Sequence, residues 1–420
     1  MKGAQGMYDY ILIGAGVSSV FALLRLQNTA KRILVLEAGP DFNQRDPQDL
    51  YQGFGGLGLA EGKYNFAPDF GGALAAKIGV GPTQALLAKV AQTLDTFGGQ
   101  HALRYVAARP AQLRHQRDLV SVACTTQHLG THLSRTVFGN MYQALKASQI
   151  EFRFQQKVQQ ITPLAQGFAV RTALGDTYRG QQVILATGVA VDPVLAANLR
   201  TLSIFSTQTR VDVGCRIETQ GTALDVLLGT DPEVKLRWGE RYTYCMNKHG
   251  RVVLKRQHNW AMADGQNYRE NGATSNLNFT LFQPHYFASS SAAQAYLTAL
   301  FQDRSTVIGQ RLGDVAPQFA KGQLLSPTLA YQKGPALDAD LLKPAIQFLD
   351  LLQQVTKTPI DGQTMLYGYD AKFYPTQVKT NAQFETGIPG LYCIGDCSGA
   401  TYSLAQAAAS GVYLGQIIAK

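Results

Sequence analysis

Residues 8–19 read Tyr-Asp-Tyr-Ile-Leu-Ile-Gly-Ala-Gly-Val-Ser-Ser, and no other stretch of this 420-residue chain limits its fold so tightly. Tyr10 to Ile13 is a short apolar run suited to a buried parallel strand. Gly14 permits the sharp turn that follows, with Ala15 inside it. Gly16 lets a diphosphate approach the backbone with no Cβ in the way. Val17, Ser18 and Ser19 open a helix whose unpaired N–H groups and positive dipole end attract phosphate. Ser19 replaces the third glycine of the usual pattern, a small residue where helix packs on strand. The next apolar strand, Ile33-Leu34-Val35-Leu36, ends at Glu37-Ala38, and Glu37 lies 37 − 14 = 23 residues past the first glycine. A carboxylate there can accept from both ribose hydroxyls of an adenosine. It also repels a 2′-phosphate, so the site suits FAD or NAD and not NADP.

A second motif sits at the other end. Residues 391–399 read Leu-Tyr-Cys-Ile-Gly-Asp-Cys-Ser-Gly. They form a strand ending in Gly395-Asp396, the pair flavoproteins use to hold the ribityl-phosphate half of FAD. Residues 400–419 then read as a small-residue helix, opening Ala400-Thr401-Tyr402-Ser403. Its N-terminal N–H groups would face the flavin N1 and C2 carbonyl and favour the reduced ring.

Between the motifs, Gly53-Phe54-Gly55-Gly56-Leu57-Gly58 cannot be a stable helix or a central strand. It is expected along the pyrophosphate, with glycine N–H groups exposed to oxygen atoms and Lys63 offering a positive charge. Val158 and the strand end Ala186-Thr187-Gly188 complete the expected cofactor-binding set: Gly14, Ala15, Gly16, Val17, Ser18, Ser19, Glu37, Ala38, Gly55, Gly56, Leu57, Gly58, Lys63, Val158, Ala186, Thr187, Gly188, Gly395, Asp396, Tyr402 and Ser403.

Composition narrows the class. A hydrophobic fraction of 45% fits a globular protein, and 420 residues allow two domains. The five cysteines, Cys124, Cys215, Cys245, Cys393 and Cys397, form no C-x-x-C pair. They read as reduced thiols, against a disulfide framework, a zinc site or the redox disulfide of many flavin reductases. Cys393 and Cys397 read as small core residues. The net charge of +9 comes without a basic run, so it favours anionic cofactors over nucleic acid. No apolar run suits a membrane span, and residues 1–7 are too short for a signal peptide, so the cytoplasm is expected.

The pattern predicts an α/β protein: a Rossmann-type FAD-binding domain with a parallel sheet, plus a second α+β substrate domain with an antiparallel sheet. The first domain takes residues 1–204 and 371–420, the second 205–370. Residues 70–100 read as helical with breaks at 79–82 and 98–99, and 138–149 as another helix. Phe168–Thr172 and the Gly175-Asp176 turn suggest a hairpin. In the second domain, 209–218, 251–255 and 276–282 alternate as half-buried strands. Helices are expected in 290–320 and 338–356, the latter with the core stripe Leu341, Leu342, Ile346, Leu349 and Leu352.

These pieces, in this order, resemble the uncharacterised FAD-dependent dehydrogenase family, also labelled NAD(FAD)-utilising dehydrogenases. The likeness rests on Gly53–Gly58 with Glu61-Gly62-Lys63, on Val211-Asp212-Val213-Gly214-Cys215-Arg216-Ile217-Glu218, and on Tyr244-Cys245-Met246 with Gly250. Asn271-Gly272-Ala273-Thr274-Ser275-Asn276 and Gln406–Val412 extend it. Many members are longer at the N-terminus and carry a cysteine-rich insertion that this chain lacks, so no role of those cysteines carries over. The resemblance implies a glutathione-reductase-like fold and noncovalent FAD, with no known substrate.

Side-chain candidates for chemistry are few, since the ring carries the redox work. Cys245, His249, His258, His285 and Asn271 are weighed, each against a structural role, and no catalytic residue is assigned. No metal is expected. The expected activity is two-electron transfer between FAD and a small or hydrophobic organic molecule. Only one strand-glycine-helix fingerprint is present, so either NAD(P)H docks transiently or another donor is used. A flavin monooxygenase and a non-catalytic FAD-binding structural or sensing protein are the alternatives.

Overall fold

The computed structural model describes residues 6–46, 52–60, 62–107, 110–113, 118–188, 193–205, 209–231, 233–257, 260–266, 272–302, 304–319, 322, 325–334, 336–374 and 377–419. They form two compact units, one of 1–105, 125–208 and 374–420, the other of 106–124 and 209–373. The fold is mixed α/β, with a largely parallel sheet in the first unit and an antiparallel one in the second.

In the first unit, β1 (Tyr8–Ile13) runs into helix α1 (Val17–Leu26) and then β2 (Ile33–Leu36). β1 lies between β2 and the strand Thr177–Leu185, parallel to both, with Ile11 opposite Leu34 and Val183. The strand Glu151–Arg153 extends the parallel pairing beyond β2, and Leu391–Cys393 adds alongside Val183–Leu185. The expected hairpin is present: Phe168–Thr172 pairs antiparallel with 177–180, and Gly175 turns it at φ +86°. Every residue of β2 is buried, as a central parallel strand covered on both faces requires.

The C-terminal helix Leu404–Ile418 packs on α1. Gly411 and Gly415, one turn apart, make that approach possible: a Cβ on Gly411 would lie 2.1 Å from the Ser18 carbonyl oxygen, and one on Gly415 2.9 Å from that of Ala22. The Tyr10 hydroxyl donates to the Ile418 carbonyl at 3.0 Å and ties the end of the chain to β1. Two boundaries differ from expectation. The break near 79–82 is Gly79 alone, since Pro82 fits the first turn of the helix Val80–Thr96. The helix expected at 138–149 starts at Gly130, because its first turns, Gly-Thr-His-Leu-Ser, mask the apolar period.

The second unit is built on an eight-stranded sheet. Its central strands, Thr209–Gln220, Asn276–Phe287 and Met365–Phe373, pair antiparallel. Val211, Val213, Cys215 and Ile217 point into an apolar core with Leu277, Phe279 and Leu281. The helix Ala339–Thr356 covers that core through Leu341, Phe348, Leu349 and Leu352, while Leu342 and Ile346 are only partly buried at its edge. The helical span expected at 290–320 ends at Phe301, and Ile308–Arg311 is a strand. Leu119–Ser121, expected in the first domain, instead joins this sheet by pairing with Leu236–Trp238.

Candidate functional site

The glycine turn of the first unit is built for close approach on one side and open on the other. Gly14 sits at φ +101°, and a Cβ there would lie 2.4 Å from the Ala186 carbonyl oxygen. A Cβ on Gly16 would meet nothing within 4 Å. Gly16 is also the N-cap of α1, and no side chain caps this helix end. The first turn of α1 therefore offers backbone donors beside open space, the requirement for an oxyanion. Ser19, in place of the third glycine, is fully buried and its hydroxyl donates to the Gly14 carbonyl at 2.6 Å. The substitution fastens the turn.

Glu37 is buried at the end of β2. One carboxylate oxygen accepts from the Ala15 N–H at 2.7 Å; the other accepts from Gly39 at 2.7 Å and Gly53 at 3.1 Å. A carboxylate has about four lone-pair sites. With three taken, about one remains, so Glu37 has room for a single ribose hydroxyl and not the expected two. Ala38 is exposed beside it. The segment after Arg153 closes over this edge, with Gln156 donating to the Glu37 carbonyl and Gln155 to that of Gly39. Val158 follows, buried and paired with Thr172.

The glycine stretch lies against the turn, but its donors are spent. The Gly53 N–H goes to Glu37, that of Gly55 to the Ala15 carbonyl at 2.8 Å, that of Gly56 to Gly53, and that of Gly58 to Gly55. The expected row of free N–H groups at Gly55, Gly56 and Gly58 is absent. The glycines serve packing instead: a Cβ on Gly58 would lie 2.3 Å from the Phe138 ring. Leu57 is half-buried within the same short helical turn. Lys63 begins a strand and pairs with His128.

Gly395, at φ +69°, turns the C-terminal motif against α1: a Cβ there would lie 2.5 Å from the Ser18 hydroxyl. Its N–H donates to the Ser410 hydroxyl at 3.0 Å. Asp396 is half-buried and accepts from the Thr401 hydroxyl at 2.9 Å. The start of the last helix is less open than expected. The Ser403 hydroxyl caps the Gln406 N–H, and Tyr402 donates its N–H to the Gly71 carbonyl. Gln406, fully buried, donates to the carbonyls of Pro68 and Phe70 and accepts from Leu74, fixing residues 68–74 over this helix end. The Tyr402 ring meets Tyr374 edge-on at 4.3 Å.

Direct contacts thus join Gly14, Ala15, Ser18, Glu37, Gly55, Ala186 and Gly395. Thr187 and Gly188 follow Ala186, both half-buried. Lys63 and Val158 belong to strands that pair elsewhere. Among the described residues no group of three or more His, Cys, Asp or Glu is placed to hold a metal ion, and no helix is long and apolar enough to cross a membrane.

Three of the weighed residues of the second unit lie among the described ones. The Cys245 carbonyl accepts from Arg216 and Asn247, each at 2.8 Å. His249, at φ +63°, places Nδ1 3.1 Å from the Thr274 carbonyl. Burial lowers the pKa of His285, which lies against Tyr296. His258 and Asn271 lie outside the described residues.

The eight-stranded sheet also carries a buried polar face that was not expected from the sequence. Fully buried Arg216 donates to Thr280, whose hydroxyl donates to Asp370; Lys255 then bridges Asp370 at 2.9 Å and Asp264 at 3.2 Å. Buried Glu218 accepts from Asn276, Thr328 and Tyr367. The alternation Asp212, Arg216, Glu218 along one strand, facing Asn276, Asn278 and Thr280 on the next, was the available signal.

No protein-family model matches the chain, and no curated protein matches it. Among solved structures, a 3-ketosteroid-Δ4-(5α)-dehydrogenase from Rhodococcus jostii RHA1, in complex with 4-androstene-3,17-dione, is 12% identical at a TM-score of 0.49, covering 100% of this chain and 98% of its own. NikD, an amino acid oxidase of nikkomycin biosynthesis, is 10% identical at 0.43, covering 98% and 94%. CtdE in complex with FAD is 10% identical at 0.38, covering 99% and 84%. Overlaps this loose carry nothing about substrate.

Proposed function

We propose that this chain is an FAD-dependent oxidoreductase, akin to the uncharacterised FAD-dependent dehydrogenases its motifs resemble. The observation that carries the reading is the open space at Gly16 beside the uncapped start of α1, with Gly395 held against the same helix turn. A diphosphate fits that combination: a helix start with no side-chain cap, no Cβ in the way, and a positive dipole end. The remaining acceptor capacity of Glu37 suits one ribose hydroxyl, and a carboxylate there selects against a 2′-phosphate. Gly395 and Asp396 would hold the ribityl-phosphate half.

Bound FAD would supply two-electron chemistry. The residues of this chain bind and orient it: Gly14 to Ser19 at the phosphates, Glu37 at the ribose, and the Gly395 turn beside Ser18 in the first turn of α1. The first unit is then the cofactor domain, and the second carries the surface for a small or hydrophobic organic substrate, with NAD(P)H as a transient donor.

The test is an absorbance spectrum of the purified protein, followed by anaerobic NADH and then NADPH. A flavin band bleached by either supports a nicotinamide-linked oxidoreductase. A flavin band that neither bleaches replaces the donor in this reading with the substrate itself. A colourless protein that takes up no added FAD overturns it.

A further inference from the structure

Cys393 ends the strand Leu391–Cys393, and Cys397 lies in the short helical turn Asp396–Ser398. Their Sγ atoms are 3.6 Å apart, and both thiols are free and buried, at 1% and 5% exposure. The four-residue spacing alone suggested two core residues. The geometry adds a second feature, an asymmetric environment. Cys397 Sγ lies 3.2 Å from the Ile394 carbonyl oxygen and 3.6 Å from that of Leu185. Hydrogen bonding from Cys393, then Thr187, holds the Cys397 thiol below its ordinary pKa against the effect of burial. The bond to Cys397 and burial push Cys393 up. Whichever thiol is oxidised first, the other stands in contact to resolve it.

We propose that Cys393 and Cys397 are a redox-active dithiol that closes to a disulfide across the Gly395-Asp396 turn when a small peroxide oxidises the protein. One thiolate of the pair attacks hydrogen peroxide; an S–O bond forms, the O–O bond breaks, and hydroxide leaves to take up the thiol proton as water. The second sulfur of the pair then attacks the sulfenic sulfur. The S–S bond forms, the S–O bond breaks, and a second water leaves. Two electrons pass from the two thiols to one peroxide. Burial selects a small neutral oxidant over a bulky disulfide. Closure shortens the 3.6 Å contact to about 2 Å, and Gly395 supplies the backbone freedom for that shift. The chemistry of the pair does not rest on the flavin reading above.

The experiment uses the full-length protein, fully reduced, treated with hydrogen peroxide, quenched with catalase and alkylated with N-ethylmaleimide in denaturant. Two of the five thiols should become unreactive. A protease that cleaves before Asp396 separates the two cysteines, so the two fragments should stay joined until dithiothreitol releases them. The Cys397→Ser protein should keep its remaining thiols reactive. Five reactive thiols after peroxide, oxygen added to single cysteines without a cross-link, or the same loss in Cys397→Ser would each overturn the proposal. Because the wild-type protein carries the main readout, a variant that folds poorly does not blunt it. Flavin content does not enter the measurement, so failure here and failure of the FAD reading are separately visible.

Discussion

The Glu37 carboxylate accepts the Ala15 N–H across 2.7 Å, which bonds the acid at the end of β2 into the glycine turn at the end of β1. The same side chain takes the N–H groups of Gly39 and Gly53. Glu37→Ala would leave these three buried donors without acceptors. An unsatisfied buried donor costs about 1–3 kcal/mol, so the variant should lose at least about 2 kcal/mol of unfolding free energy, and Glu37→Gln, which keeps one acceptor oxygen, less. Urea unfolding checks this. An unchanged midpoint in Glu37→Ala would mean the carboxylate does not organise the turn.

Gly14 and Gly16 separate folding from binding. Gly14 has φ +101° and the Ala186 carbonyl at the Cβ position, so Gly14→Ala should destabilise the protein outright. Gly16 has φ −74° and open space. Gly16→Val should therefore unfold at nearly the wild-type urea concentration yet retain at least tenfold less FAD after gel filtration. Full flavin retention in a folded Gly16→Val protein would remove the anion cradle from the argument.

Much of the first unit was legible because its signals are local. An apolar run, a glycine turn and an acid at fixed spacing specify β1, α1 and β2 with little help from the rest of the chain. The close packing of Gly411 and Gly415 on α1 was not legible, because the small residues of that helix fit an approach to a flat ring as well as to another helix. The spent donors of Gly55, Gly56 and Gly58 were not legible. Their partners lie in the turn around Gly53 and at Ala15, and only the folded chain brings Ala15 there. The buried charges of the second unit were hidden for a related reason. Arg216, Lys255 and Asp370 look like exposed residues one at a time, and only the pairing of three strands and a hairpin makes them partners.

Gln406 joins residues 68–74 to the C-terminal helix through three hydrogen bonds. Gln406→Leu keeps the volume and abandons the carbonyls of Pro68 and Phe70 and the N–H of Leu74. The variant should be cut by a protease within 67–73 at least several times faster than wild type while its far-ultraviolet circular dichroism is unchanged. Equal cleavage rates would show that other contacts hold this segment.

Lys255 stands between two carboxylates, Asp370 and Asp264, and Asp370 is buried. Burial raises the pKa of Asp370, opposed by the Lys255 charge. Burial lowers that of Lys255, but Asp370 and Asp264 outweigh it and the net shift is upward. The stability contributed by Lys255 is therefore present below its unfolded pKa and lost as pH rises through the higher folded one. Lys255→Met removes the cation and leaves Asp370 buried without it, a change that costs about 3–5 kcal/mol when a buried pair is broken. The sign with pH then follows from Asp370. Its folded pKa rises further, so above the unfolded carboxylate pKa the native state binds more protons than the unfolded state, and stability falls as pH increases. Lys255→Met should regain part of its deficit as the pH is lowered from 7 towards 5, measured by urea unfolding against wild type at each pH. A deficit that stays constant across that range would mean that Asp370 is not the group left uncompensated.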